Sequence, residues 1–171
     1  KQPPHMGIVA ADERRIRQRD VYLPAHEHAM AHLSYTSPNG EWVLIVEMDG
    51  DHAWMPCRLM PLNGNSPARK VGPAGAACTS GAWSPDGKWI ITSYMTGLGF
   101  IRDIGIIQSD GKGKLINLTQ SGFSDGSPAF SKDGKMIYWF SDRDGYRAQN
   151  TQSTTGDIYG VLLTQEALDR F

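Results

Sequence analysis

Three groups of residues have types and spacings that could do chemistry. His26-Glu27-His28, with His32 nearby and His5 and His52 elsewhere, could hold a metal ion, because alternate residues of an extended strand share a face and imidazole is a common ligand. The group follows Pro24 in what reads as a connection between strands, so a polar surface link is the reading adopted and no metal is assigned. Asp142-Arg143-Asp144-Gly145 places carboxylates two residues apart with a glycine to turn the chain, as in half of a calcium loop. The later acidic ligand is missing, since Gln152 to Thr155 are neutral and Asp157 opens an apolar run; the segment reads as a structural turn. Serine catalysis needs a histidine within reach of the nucleophile and a third group to orient it. Every histidine precedes residue 53, no Gly-x-Ser-x-Gly elbow is present, and Ser84 and Ser131 sit in repeated turns that their hydroxyls would cap. No catalytic residue and no cofactor is assigned.

Those turns define the elements that position everything else. Ser37-Pro38-Asn39-Gly40, Ser84-Pro85-Asp86-Gly87 and Ser131-Lys132-Asp133-Gly134 follow one another at an interval of 47 residues. Trp42 and Trp89 keep the same interval, as do Val43, Ile90 and Ile137, then Gly64 and Gly111, then Val71 and Leu118. Asn-Gly and Asp-Gly pairs suit tight turns between strands, because glycine takes positive φ freely and Asn or Asp tolerates it. The structural turn residues are therefore Ser37, Gly40, Ser84, Asp86, Gly87, Asp133 and Gly134.

A unit of this length, with an apolar run on either side of a tight turn, is the sequence form of one four-stranded β-propeller blade. Innermost strands are expected to end at Thr36, Trp83 and Phe130. Second strands are Trp42 to Val46, Trp89 to Thr92 and Met136 to Phe140, each β-branched or aromatic enough to be buried on both faces. Third strands are Cys57 to Met60, Ile104 to Ile107 and Ile158 to Leu162; fourth strands are Ala68 to Val71 and Lys114 to Leu118. No segment from Leu33 to Val161 joins helical length to helical spacing, so an α/β fold fails for want of crossovers. The fold class is all-β, with about three four-stranded antiparallel propeller blades, half of a six-bladed ring. Trp83, Trp89, Phe130, Tyr138 and Trp139 fall at core positions of the repeat, which favours packing over a sugar platform.

Composition narrows the partners. The chain has 171 residues, 40% of them apolar, and 17 basic groups against 18 acidic ones, so it can bury a core but offers no field for nucleic acid or an anionic membrane. No apolar run reaches the roughly 18 residues of a membrane helix, and the first 23 residues lack the apolar stretch of an uncleaved secretion signal. Cys57 and Cys78 could pair if adjacent blades bring them together, although buried free thiols are the commoner outcome. Localisation stays open between the bacterial periplasm and the cytoplasm.

Residues 1–18 read as an N-terminal extension, 19–163 as the three-blade segment with blades at 28–72, 76–119 and 123–163, and 164–171 as a tail that starts a helix. One period before Ala68 to Gly72 lies Val21 to Ala25, so 19–25 is placed as an outer strand that would fit the third blade's open edge. Propellers close with roughly four to eight blades. Three leave apolar faces and strand edges uncovered. Either a longer chain supplies the missing blades, or two copies form a homodimer with a six-bladed ring of two-fold symmetry.

Segments that leave the period are the places to look for specificity. Asp103 and Asp157 stand 54 rather than 47 positions apart, the excess falling in 146–156, and Tyr94 to Arg102 is a second irregular stretch. Both join a second strand to a third and should emerge at one end of the ring. A peptide-binding surface there would use Phe100, Arg102, Arg143, Tyr146 and Arg147, the arginines anchoring a carboxylate.

Ala-Trp-Ser-Pro-Asp-Gly-Lys-Trp at 82–89 and Ala-Phe-Ser-Lys-Asp-Gly-Lys-Met at 129–136 resemble the bacterial TolB and tricorn type of propeller repeat. From about Asp103 to Phe171, the motifs Gly-Lys-Leu-Ile-Asn-Leu-Thr (113–119), Phe-Ser-Asp-Arg-Asp-Gly (140–145) and Asp-Ile-Tyr (157–159) are similar to the propeller of tricorn-like serine peptidases. From Arg19 to about Trp89, Arg-Asp-Val-Tyr-Leu-Pro (19–24), Trp-Val-Leu-Ile-Val-Glu-Met-Asp (42–49) and Pro-Cys-Arg-Leu (56–59) are similar to propellers that follow the kinase domain of some bacterial serine/threonine kinases. The two meet near 84–89, as ancient recombination or joining of two sources would leave them. Either resemblance implies a non-catalytic part: the tricorn one implies a domain that gates peptides for catalytic domains elsewhere, and no kinase element such as His-Arg-Asp or Asp-Phe-Gly appears. The function expected is a non-catalytic propeller module for protein or peptide binding and assembly, the alternative being a gating domain of a tricorn-like peptidase.

Overall fold

The turns nucleate the architecture through local hydrogen bonds. Ser37 Oγ donates to Asn39 Oδ1 at 2.7 Å and accepts from Trp42 N at 2.9 Å, while Gly40 N donates to Ser37 O at 2.9 Å. Ser84 repeats this with Asp86 at 2.6 Å and Trp89 N at 2.9 Å, and Ser131 with Asp133 at 2.6 Å and Met136 N at 2.9 Å. Gly40, Gly87 and Gly134 all have φ of 71°, the left-handed conformation that a side chain disfavours. Exposed Asp86 is held below the ordinary carboxylate range, first by the Ser84 hydroxyl and then by Lys88 N; Asp133 is lowered in the same way by Ser131 and Lys135 N.

A computed structural model describes residues 5–11, 16–22, 30–48, 53–62, 68–73, 75–96, 101–145 and 155–170. Strands β1 (His5–Ala11) and β2 (Ile16–Tyr22) form a two-stranded antiparallel sheet. Sheet 1 contains β3 (Met30–Thr36), β4 (Trp42–Met48), β5 (Arg58–Pro61) and β6 (Arg69–Lys70) in that order. Sheet 2 contains β7 (Ala76–Trp83), β8 (Trp89–Thr96), β9 (Asp103–Gln108) and β10 (Ile116–Asn117), again in sequence order. Sheet 3 contains β11 (Asp125–Phe130), β12 (Met136–Ser141) and β13 (Asp157–Leu162), and the short helix α1 (Gln165–Asp169) follows, capped by Thr164.

The inner strands begin earlier than the sequence pattern indicates. Their ladders shift register between Ala31 and Leu33, Cys78 and Ser80, and Gly126 and Ala129. An irregularity there breaks the alternation of side chains, so pairing continues beyond the point where the pattern fades. Residues 19–25 were expected as a blade's outer strand. Within this chain Ile16–Tyr22 is paired along its length with His5–Ala11, since a neighbour close in sequence is reached at low entropic cost.

Sheets pack face to face. Leu44, Val46 and Leu59 of sheet 1 meet Cys78, Ile90 and Tyr94 of sheet 2 in one buried cluster. Val43, Ile45, Met60 and Leu62 are buried on the opposite face of sheet 1. The β11 strand lies against β7 and β8, and Ser93 Oγ donates to Asp125 O at 2.8 Å. All of Val43 to Glu47 and of Ile90 to Tyr94 is buried, whereas β12 buries only Ile137 and Ser141. Sheet 3 has a described sheet against one face only.

Two buried links were invisible in the repeat. Glu47, 2% exposed, accepts from Arg58 Nε at 2.6 Å and from a terminal Arg58 nitrogen in a bidentate ion pair between β4 and β5. Cys57 and Cys78 are joined in a disulfide with Cα atoms 5.4 Å apart, correcting the expectation of free thiols. The seam between sheets 1 and 2 brings them together, with Cys78 N donating to Met55 O at 3.0 Å.

Candidate functional site

The open edge of sheet 3 is the first candidate surface. In sheets 1 and 2 the third strand is flanked by a fourth, β6 or β10. In sheet 3, β13 pairs only with β12, and its other edge has no strand partner among the described residues. Along and beyond this edge Ile158 is 71% exposed, Leu163 45% and Leu168 56%. The cross-strand register of Tyr138 with Gly160 and of Phe140 with Ile158 places these residues on one face of the sheet. That face is a partly solvated apolar strip.

The two described members of the expected loop site lie around the segment that leads into β11. Arg102 Nε donates to Ser124 Oγ at 3.1 Å, and Arg102 O accepts from Asp125 N at 2.8 Å. The Arg143 guanidinium stands 5.7 Å from the Phe123 ring centroid and 5.3 Å from that of Tyr159. Both arginines thus border the segment Ser121 to Gly126, which leads into β11. Asp142 Oδ1 fixes this segment by accepting from Ser124 N at 2.7 Å. The Tyr159 hydroxyl donates to Asp144, which, ahead of burial and of the negative charges nearby, raises the phenol above its ordinary range. Asp142 and Asp144 therefore serve as turn and anchor. Phe100, Tyr146 and Arg147, and the histidines His26, His28 and His52, lie outside the described residues, as do the side chains of His5 and His32.

Sequence reasoning missed a second concavity, a cleft of about 310 Å³ at the turn end of the seam between sheets 1 and 2. Trp42, Trp83, Arg69, Asn39, Asp110 and Lys112 contribute to its walls. Arg69 lies over the Trp42 ring, its guanidinium carbon 4.7 Å from the centroid. The available signal was a departure from the repeat: 47 positions after Arg69 stands Ile116.

Three successive meander sheets, stacked face to face with the first strand of each later sheet against the sheet before it, decide the architecture. The fold is that of β-propeller blades, similar to those of TolB and tricorn structures. Among solved structures, the tricorn protease superposes with a TM-score of 0.64 at 15% identity, covering 88% of this chain and 15% of that one. The putative TolB from Agrobacterium tumefaciens gives 0.57 at 16% identity, covering 92% and 60%, and TolB from Acinetobacter baumannii gives 0.54 at 16% identity, covering 90% and 37%. The chain therefore spans from about one seventh to three fifths of those propeller proteins' lengths. No protein-family model and no curated protein matches it by sequence. At such identities the likeness fixes the propeller architecture and leaves function to the chain's own surfaces.

Proposed function

We propose that this chain is a non-catalytic β-propeller module for protein or peptide binding and assembly, whose ring is completed by self-association. The observation that carries this reading is the third blade, which among the described residues has three strands and an unpaired β13 edge, with Ile158 71% exposed beside it. The β1–β2 hairpin pairs with no further strand among the described residues, and an isolated two-stranded sheet is marginal in water. Set against β13 of a second copy, it would extend the third blade, and two-fold symmetry would yield six blades from two chains. Ser84 and Ser131 are committed to turn hydrogen bonds, which supports a non-catalytic role. The near-balance of 17 basic and 18 acidic groups speaks against nucleic acid or a membrane surface as partner. The Cys57–Cys78 disulfide fits an oxidising compartment such as the bacterial periplasm.

Light scattering across a concentration series tests the assembly. A dimer is expected, with Ile158→Lys shifting it to monomer while far-ultraviolet circular dichroism is unchanged. A stable monomer at every concentration overturns self-association and leaves blades of a longer chain as the completing element. A second reading, the gating propeller of a tricorn-like serine peptidase, is favoured by the 0.64 TM-score to the tricorn protease. The complete gene tests it: a serine peptidase domain in the same reading frame supports it, and a different catalytic domain refutes it. A kinase domain there would instead support the resemblance of 19–89 to kinase-linked propellers.

A further inference from the structure

We infer that the cleft between the first and second blades is a binding site for a carboxylate carried on an apolar body, as at an acidic or C-terminal residue of a peptide, with Arg69 as the anchor. Arg69 is held in place from two sides. The Trp42 ring lies 4.7 Å from its guanidinium carbon, and Gly111 of the β9–β10 turn approaches so closely that a Cβ added there would stand 3.0 Å from Arg69 Nε. Gly111 has φ of 66°, so the turn depends on glycine both for its backbone and for this approach. Thus oriented, the guanidinium has no hydrogen-bond or ion-pair partner among the described residues, where its Nε is buried without one. A planar guanidinium held by stacking offers its terminal donors in the fixed geometry that bidentate carboxylate recognition uses.

The remaining wall chemistry selects among anions. Lys112 lies 4.0 Å from Asp110 in an exposed pair, so Arg69 is the cation not matched within the cleft. A single negative charge balances it, whereas a dianionic phosphate would face the Asp110 carboxylate. Trp42 and Trp83 supply apolar faces, and the Trp83 indole is locked by its Nε1 donating to Tyr35 O at 2.8 Å. A volume of about 310 Å³ falls at the small end of ligand pockets and suits one or two residues of a peptide. The corresponding position of the next seam holds Ile116, 57% exposed, so the arrangement belongs to this seam and is no requirement of the repeat. All the named residues lie in blades 1 and 2, so the site does not depend on ring closure.

The probe is N-acetylphenylalanine, titrated against the whole chain by tryptophan fluorescence, with N-acetylphenylalaninamide and phenyl phosphate in parallel. The acid is expected to bind saturably and the amide about tenfold or more weakly, since charged hydrogen bonds are lost. Arg69→Gln is expected to reduce acid binding to the level of the amide, and Arg69→Lys to recover only part, because an ammonium neither forks nor stacks in the same way. Acid and amide binding alike, or no saturable binding of the acid, overturns the proposal without any variant. Unchanged acid affinity in Arg69→Gln overturns the anchor, and tighter binding of phenyl phosphate than of the acid overturns the carboxylate assignment.

Discussion

Gly81→Ala probes the register of blade against blade. Gly81 lies in β7, facing sheet 1, and a Cβ there would stand 2.5 Å from Leu44 Cδ2 and 3.2 Å from Ile91 O. Leu44 is fully buried, and Ile91 O is backbone, so neither gives way without moving a sheet. Overpacking of this kind costs about 1–3 kcal/mol. Leu44→Ala alone removes the obstructing methyls but leaves a cavity, costing about 2–5 kcal/mol. In the double variant the new methyl enters the vacated space, so the combined loss falls short of the sum by about 1–2 kcal/mol, within the range for contacting residues. Equilibrium urea unfolding of the four proteins, with the disulfide intact and equal m-values, measures this coupling. A neutral Gly81→Ala, or additivity within about 0.5 kcal/mol, would mean that β7 does not press on Leu44 and that the blade stacking is wrong.

Three further outcomes follow from other contacts. Glu47→Ala strands the buried Arg58 charge and should cost about 3–5 kcal/mol, whereas Glu47→Leu with Arg58→Met should recover most of the loss; equal losses in urea unfolding would refute a buried pair at this position. Reducing Cys57–Cys78, which closes a separation of 21 residues, should lower stability by about 3 kcal/mol, read as a shift of the urea midpoint that the double serine variant reproduces and that reductant no longer changes. Asp86 and Asp133 have depressed folded pKa values, so their contribution is present above the unfolded carboxylate's midpoint and is lost as pH falls through the folded one. Carboxyl NMR titration should place both midpoints below the ordinary value, with Ser84→Ala returning Asp86 towards it and leaving Asp133 unmoved; movement of both, or of neither, contradicts the turn geometry.

The candidate surfaces were partly legible in the chain. The break in period around 146–156 pointed to the end of the third blade, where Arg143 meets Phe123 and Tyr159. Arg69 departs from the repeat only in residue type, with Ile116 one period later, and its significance lies in Trp42 across two strands of its own blade and in Gly111 of the next. Spacing along one strand cannot show a neighbour that only the stacking of blades provides.

The repeated turns, the positions of the second and third strands and the all-β class were determined by the sequence itself. The bonds that set them run between residues five or fewer apart, as from Ser84 to Asp86 and Trp89, or follow from apolar runs that only a sheet interior accommodates. Tertiary structure alone decided the pairing of Cys57 with Cys78, the burial of Glu47 against Arg58, the partnering of Ile16–Tyr22 with His5–Ala11, and the exposure of Ile158. Each depends on which surface lies opposite, and a residue's type does not specify its distant neighbour until sheets have packed and the entropy of closing the intervening chain has been overcome.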